Sequence, residues 1–127
     1  MKVPISRYTS SSWMREEKEK LWDNVWLLVT HQSMFPEEGS TQRFTIMGKE
    51  IVVVRHANGF SAFRNRCPHR GTPLVSKSGS FSHFRCPYHH WTFALDGRIL
   101  SMPQCEKDDS LSLEELPCEQ ALGFIWL

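Results

Sequence analysis

Nothing in this sequence is long and apolar. Its densest runs, Val25-Trp26-Leu27-Leu28-Val29 and Ile51-Val52-Val53-Val54, fall far short of the ~20 residues that span a bilayer. Met1-Lys2-Val3-Pro4-Ile5-Ser6-Arg7 lacks the apolar centre of a secretory signal. No charge of one sign dominates. Lys and Arg total 15 and Asp and Glu 14, a formal net charge of +1, so electrostatics give no reason to expect nucleic acid or a strongly charged partner. Repeats and low-complexity stretches are missing as well. These absences lead us to expect a cytoplasmic protein that makes no membrane contact. Cysteine is scarce, with 4 in 127 residues, and Cys105 and Cys118 are read as free thiols of a reducing compartment.

What is present begins with short strands punctuated by glycine. Length and 40% apolar content suit one globular domain. Residues 1–12 read as a polar arm and 13–127 as a single domain. Ser12 is expected to cap a short helix over 13–22, with Arg15–Glu19 and Glu16–Lys20 as i,i+4 pairs and Trp13, Leu21 and Trp22 resting on the domain. Val25–Val29 reads as a buried strand. Strands over 41–47 and 50–56 are expected to join through a type II′ turn at Gly48-Lys49, and Asn58-Gly59 signals a type I′ turn into Phe60–Phe63. Asp96-Gly97 turns the chain into 98–101, residues 111–116 alternate loosely, and 122–127 form a last apolar strand. Many short strands and one helix predict an all-β, antiparallel sandwich or barrel-like fold.

Two clusters stand out: Cys67-Pro68-His69-Arg70-Gly71 and Cys86-Pro87-Tyr88-His89-His90-Trp91. Each supplies one thiolate and one imidazole, spaced C-x-H and C-x-x-H with 16 residues between His69 and Cys86. Two cysteines, one per loop, can hold one iron while two histidines hold the other, the arrangement of a Rieske [2Fe-2S] centre. A structural zinc site also takes two Cys and two His, but usually in chain order C-x-C then H-x-H rather than interleaved. A Cys67–Cys86 disulfide would leave His69 and His89 without a purpose.

These motifs resemble those of Rieske non-haem iron oxygenases of the ring-hydroxylating type. The flanks agree: Ile51-Val52-Val53-Val54-Arg55 before, Thr92-Phe93-Ala94-Leu95-Asp96-Gly97 after, and Gly123-Phe124-Ile125-Trp126 near the end. The likeness runs from Trp22 to Leu127. It implies a Rieske-type antiparallel β-sandwich with a small cluster-binding subdomain of two loops at about residues 66–92. The resemblance further implies a [2Fe-2S] cluster held by Cys67, His69, Cys86 and His89, with Arg70, Gly71, Tyr88 and Trp91 around it. His90 departs from the pattern, which usually has Gly there.

From those residues we expect one-electron carriage and no catalytic residue in this stretch. Rieske proteins of respiratory cytochrome bc complexes carry an extra Cys in each loop, joined beneath the cluster. Gly71 and Tyr88 stand at those places and cannot form that bond, so the potential should lie low in the Rieske range. Arg66 and Arg70 are either steering charges for an acidic reductase or ordinary solvated arginines. The oxygenase's mononuclear iron, held by two His and a carboxylate, belongs to a separate catalytic domain. The expected donor is a reductase or ferredoxin and the acceptor that catalytic domain. The apolar ending reads as interrupted, so the leading expectation is the Rieske domain of an oxygenase α subunit. A free-standing Rieske ferredoxin and a structural zinc domain are the alternatives.

Overall fold

Lys49–His56 is the strand on which the rest is hung. Ile51 and Val53 enter one core cluster while Val52 and Val54 enter another on the opposite face, and all four are at most 4% exposed. A strand covered on both faces needs a continuous apolar run rather than an alternating one, which explains Ile51-Val52-Val53-Val54. Each of these side chains contributes roughly 1.5–3 kcal/mol by leaving water.

The structure is a computed structural model describing residues 3–127, so the first two residues of the expected arm lie outside the described residues. A helix, α1 (Ser11–Glu17), is followed by β1 (Leu28–His31), β2 (Ser40–Ile46), β3 (Lys49–His56), β4 (Gly59–Arg64) and β5 (Gly79–Ser80). Then come β6 (Phe84–Arg85), β7 (Thr92–Phe93), β8 (Ile99–Ser101), β9 (Glu115–Leu116), β10 (Glu119–Ala121) and β11 (Phe124–Trp126). They form a central five-stranded sheet, β5-β2-β3-β4-β9, and two three-stranded sheets, β1-β11-β10 and β6-β7-β8. All pairings are antiparallel. The predicted all-β antiparallel fold with one short N-terminal helix is what forms. Phe84, Phe93, Trp91 and both motif cysteines join Val52, Val54 and Phe63 in one core, and Phe35 and Ile125 meet Ile51, Val53 and Ala62 in the other.

Several local expectations need correction. The β2–β3 turn is centred on Met47-Gly48, with Ile46 paired to Lys49 and φ of 49° and 76°. Two positive φ values define type I′ rather than the expected II′ at Gly48-Lys49. At the β3–β4 turn His56 pairs with Gly59, and Gly59 alone has positive φ, so Asn58-Gly59 is not a type I′ centre. Leu122-Gly123, at φ 53° and 82°, makes a second I′ hairpin between β10 and β11, and β10 was not foreseen. Val25–Val29 is not a buried strand. Backbone pairing starts at Leu27, which exchanges hydrogen bonds with Leu127, and Val25, Trp26 and Leu28 are 41%, 53% and 51% exposed, because β1 is the edge of its sheet.

The helix begins at Ser11 with Ser10 as its N-cap, and ends in a π-helical turn over Lys18–Trp22. Of the two expected i,i+4 pairs, Glu16–Lys20 forms at 2.6 Å, while Arg15–Glu19 is not seen among the described residues. Trp13 is half-buried beneath the Arg7 guanidinium, 4.0 Å from its ring centre. Leu21 and Trp22, expected to be covered, remain 44% and 37% exposed.

Gly97 closes the β7–β8 turn at φ 86°, where a Cβ would lie 2.5 Å from Cε1 of buried Phe63. Gly48 also has positive φ, but its Cβ would meet nothing within 4 Å. Gly97→Ala should therefore cost about 2–4 kcal/mol, strain plus overpacking. Gly48→Ala should cost only about 1 kcal/mol. Urea midpoints of the two variants would show the difference, and equal losses would contradict it.

Candidate metal centre

Both Cys–His loops close the same ring of backbone hydrogen bonds. In the first, Cys67 N–H donates to Thr72 O and Gly71 N–H donates to Cys67 O, each at 2.8 Å. In the second, Cys86 N–H donates to Trp91 O at 2.8 Å and His90 N–H to Cys86 O at 3.0 Å. The fourth residue after each cysteine takes the left-handed conformation, Gly71 at φ 73° and His90 at φ 60°. His90 thus occupies a place where glycine costs nothing and histidine is tolerated better than most residues.

On this shared frame the histidine sits second after Cys67 but third after Cys86. The rings of His69 and His89 come together, centroids 4.6 Å apart. Behind them the thiols of Cys67 and Cys86 are buried at 1% and 2% exposure and unbonded to each other. The imidazoles are half-buried. Trp91 lies flat on His69, with centroids 4.6 Å apart and planes 9° from parallel. Tyr88 covers His89 at 3.9 Å and is itself 57% exposed. The two imidazoles therefore pair, the two thiols neighbour one another, and both aromatic neighbours lie on the imidazoles.

The Nδ1 atoms of His69 and His89 are buried without a hydrogen-bond partner. A buried polar nitrogen left unpaired costs about 1–3 kcal/mol, and coordination to a metal removes that cost. The donor set fits a two-iron cluster better than a single ion. Tetrahedral zinc needs four donors converging on one point, whereas among the described residues no three His, Cys, Asp or Glu side chains converge on one single-ion site. A cluster with two protein ligands per iron requires no such convergence.

Electrostatics prepare the residues for that role. Burial pushes the Cys67 thiol above its ordinary range and the Cys86 thiol adds to the rise, while the backbone N–H groups of His69 and Arg70 oppose it. A bound metal reverses this preference by stabilising thiolate. Burial holds the His89 imidazole below its usual value, and positive charge from His69, Arg70 and His90 lowers it further. The neutral ring is the form that ligates. Arg66 and Arg70 have different surroundings. Arg66 is paired with Glu114, while Arg70 is exposed and has no ion pair among the described residues.

Two supporting residues were missed from sequence. Asn65 is 3% exposed; its Oδ1 accepts from Leu74 N–H and Val75 N–H at 3.1 and 2.9 Å, and its Nδ2 donates to Val75 O at 2.8 Å. It pins the spacer between the loops to the end of β4. A lone amide where β4 enters the first loop was the available signal. Glu114 left none, because its partner Arg66 lies 48 positions away. Cys105 is exposed and Cys118 half-buried, both free as expected, and burial pushes the Cys118 thiol up to about 11.

A β-sheet scaffold presenting two Cys–His loops defines an iron–sulfur domain. Residues 25–118 match the family profile of the Rieske [2Fe-2S] domain, and the chain belongs to that family. The carnitine monooxygenase oxygenase subunit of Acinetobacter baumannii is 35% identical over 127 residues, covering 94% of this chain and 34% of that protein. The structure of the quaternary ammonium Rieske monooxygenase CntA with L-carnitine superposes at TM-score 0.88 with 34% identity, covering 95% of this chain and 36% of that one. Naphthalene 1,2-dioxygenase with indole bound gives TM-score 0.84 and 30% identity over 94% of this chain and 29% of that one. The chain thus spans about a third of the length of these relatives. Rieske domains bind a [2Fe-2S] cluster and pass electrons through it.

His90→Gly should relieve left-handed strain and raise stability by up to about 1 kcal/mol, less the extra freedom of glycine in the unfolded chain. Thermal denaturation checks it, and a loss would mean the His90 side chain makes contacts that outweigh the strain. The lowered His89 value gives a pH expectation for the metal-free chain. Below about pH 6.5 the unfolded imidazole is protonated while the folded one resists. Its contribution is therefore present above that pH and fades as the pH falls. Urea midpoints should drop between about pH 7 and about pH 5, and drop less for His89→Gln.

Proposed function

We propose that Cys67 and Cys86 hold one iron and His69 and His89 the other, and that the chain is the electron-transfer module of a Rieske non-haem iron oxygenase α subunit. The observation that carries the ligand assignment is the pair of buried, unpartnered Nδ1 atoms above two buried free thiols. When bound, the [2Fe-2S] group supplies a one-electron couple. The protein's part is to bind, orient and shield. The two backbone rings fix the cysteines, Trp91 sets the plane of His69, and Tyr88 limits water over His89.

The half-exposed imidazoles and free Arg70 form the outward face, so electrons enter and leave there. The donor is a reductase or ferredoxin, and Arg70 suits an acidic surface on it. The acceptor is the mononuclear iron of an oxygenase catalytic domain. Relatives and matching structures that are oxygenases favour this over a free-standing carrier. Free Cys105 and Cys118 suit the reducing cytoplasm, and among the described residues no helix is long and apolar enough to cross a membrane. Gly71 and Tyr88 leave no disulfide beneath the cluster, which places the potential near the low end of the ~−150 to +300 mV Rieske range.

Electron paramagnetic resonance during a redox titration tests this reading. The reduced chain should give the anisotropic, low mean-g signal of an imidazole-ligated [2Fe-2S] centre, with a low midpoint, and His89→Ala should abolish it. A silent spectrum with tightly bound zinc would overturn the electron-transfer role. A signal with a high midpoint would overturn the argument from Gly71 and Tyr88.

A further inference from the structure

Glu114 reaches the first ligand loop from a distant part of the chain. Its backbone is anchored on both sides. Glu114 O accepts from Arg64 N–H at 2.9 Å, and Leu113 N–H donates to Gly97 O at 2.8 Å, with the Leu113 side chain buried among the motif cysteines. The carboxylate accepts from Arg66 Nε at 3.0 Å and from its terminal nitrogen, and lies 3.5 Å from Arg64 Nε. That Arg64 nitrogen is buried and has no hydrogen-bond partner, so the carboxylate meets it as an ion pair alone. One carboxylate therefore answers two guanidinium groups, one of them on the residue just before Cys67. Arg66, Cys67, Pro68, Gly71, Leu113 and Glu114 line one surface depression, so the charges border the site itself.

Stability does not explain this arrangement. Glu114 and Arg66 are 45% and 61% exposed at the side chain, and ion pairs that open to water contribute ~0–1 kcal/mol. A potential is more sensitive to such charges. Reduction places one additional negative charge on the centre without making or breaking a bond, so each uncompensated positive charge nearby favours the reduced form.

We propose that Glu114 is a positioning and charge-compensating residue that lowers the reduction potential of the centre by offsetting one of the two positive charges that Arg66 and Arg64 place beside Cys67. This rests on the Rieske reading above. With Glu114 in place, the field of Arg66 is largely cancelled at the first ligand loop and the potential is kept low. Arg70, which Glu114 does not touch, keeps its charge for the outward face.

The test is a mediator-equilibrated titration of the cluster-loaded chain, with a dithionite-supplied electron as the reductant and the resonance signal as the readout. Glu114→Gln should shift the midpoint upward, and Arg66→Gln should shift it downward. The double variant should return close to the parent value, and every shift should shrink as salt rises. Glu16→Gln makes the same change of net charge on α1, where Glu16 pairs with Lys20 at 2.6 Å, and should leave the midpoint unmoved. Shifts of the same sign in both single variants would mean a loosened loop rather than compensation, and would overturn the proposal. So would an intact signal with no shift. Should Glu114→Gln fail to fold, Glu114→Ser removes the same charge and decides in its place by an upward shift. Loss of the Rieske signal from the parent chain would instead sink the functional reading.

Discussion

The constraint on which the structure depends is that two loops of different sequence must close the same ring of backbone hydrogen bonds. Each ring needs a left-handed residue at its fourth place after cysteine, and each directs a buried thiol inward. Only the position of the histidine differs, one residue later in the second loop. That offset lets two imidazoles meet side by side instead of mirroring each other at a distance. Matched backbones thus carry differently placed imidazoles, the arrangement we propose holds the cluster.

Rings this small cannot hold themselves. The first is continuous with β4 and the second lies between β6 and β7, and both strand ends sink into the core formed by Val52, Val54, Phe63, Phe84 and Phe93. Asn65 ties the spacer to that core, and the segment ending at Glu114 ties β4 to the β7–β8 turn. The site inherits its rigidity from β3, whose two buried faces leave it no alternative register, since a slip by one residue would exchange the two cores.

How much of this was legible in the sequence depended on how local the cause was. The thiol–imidazole clusters are local, so the paired imidazoles and buried thiols were readable, as were the continuous run of β3 and the Asp96-Gly97 turn. Misreadings occurred where tertiary position decides. The run Val25-Trp26-Leu27-Leu28-Val29 looks buried by composition, yet it borders a sheet edge and much of it stays exposed. Met47-Gly48 and Leu122-Gly123 form I′ turns without Asn or Asp at the first centre, because paired flanking strands impose the twist that weak local preference does not. Asn58-Gly59 has the expected residues, but its pairing register places Gly59 at the strand end.

His90 shows the same tension within the site. A histidine held at positive φ carries a conformational cost that glycine would avoid, and backbone strain persists only where the surroundings fix it. Here the fixing groups are His90 N–H on Cys86 O and Cys86 N–H on Trp91 O. Trp91 in turn cannot move without leaving His69, on which it lies nearly parallel. The ring of the second loop and the His69 imidazole of the first are therefore one mechanical unit. Strain at His90 is borne by a stack that reaches across the centre, and the two loops hold their shape together or not at all.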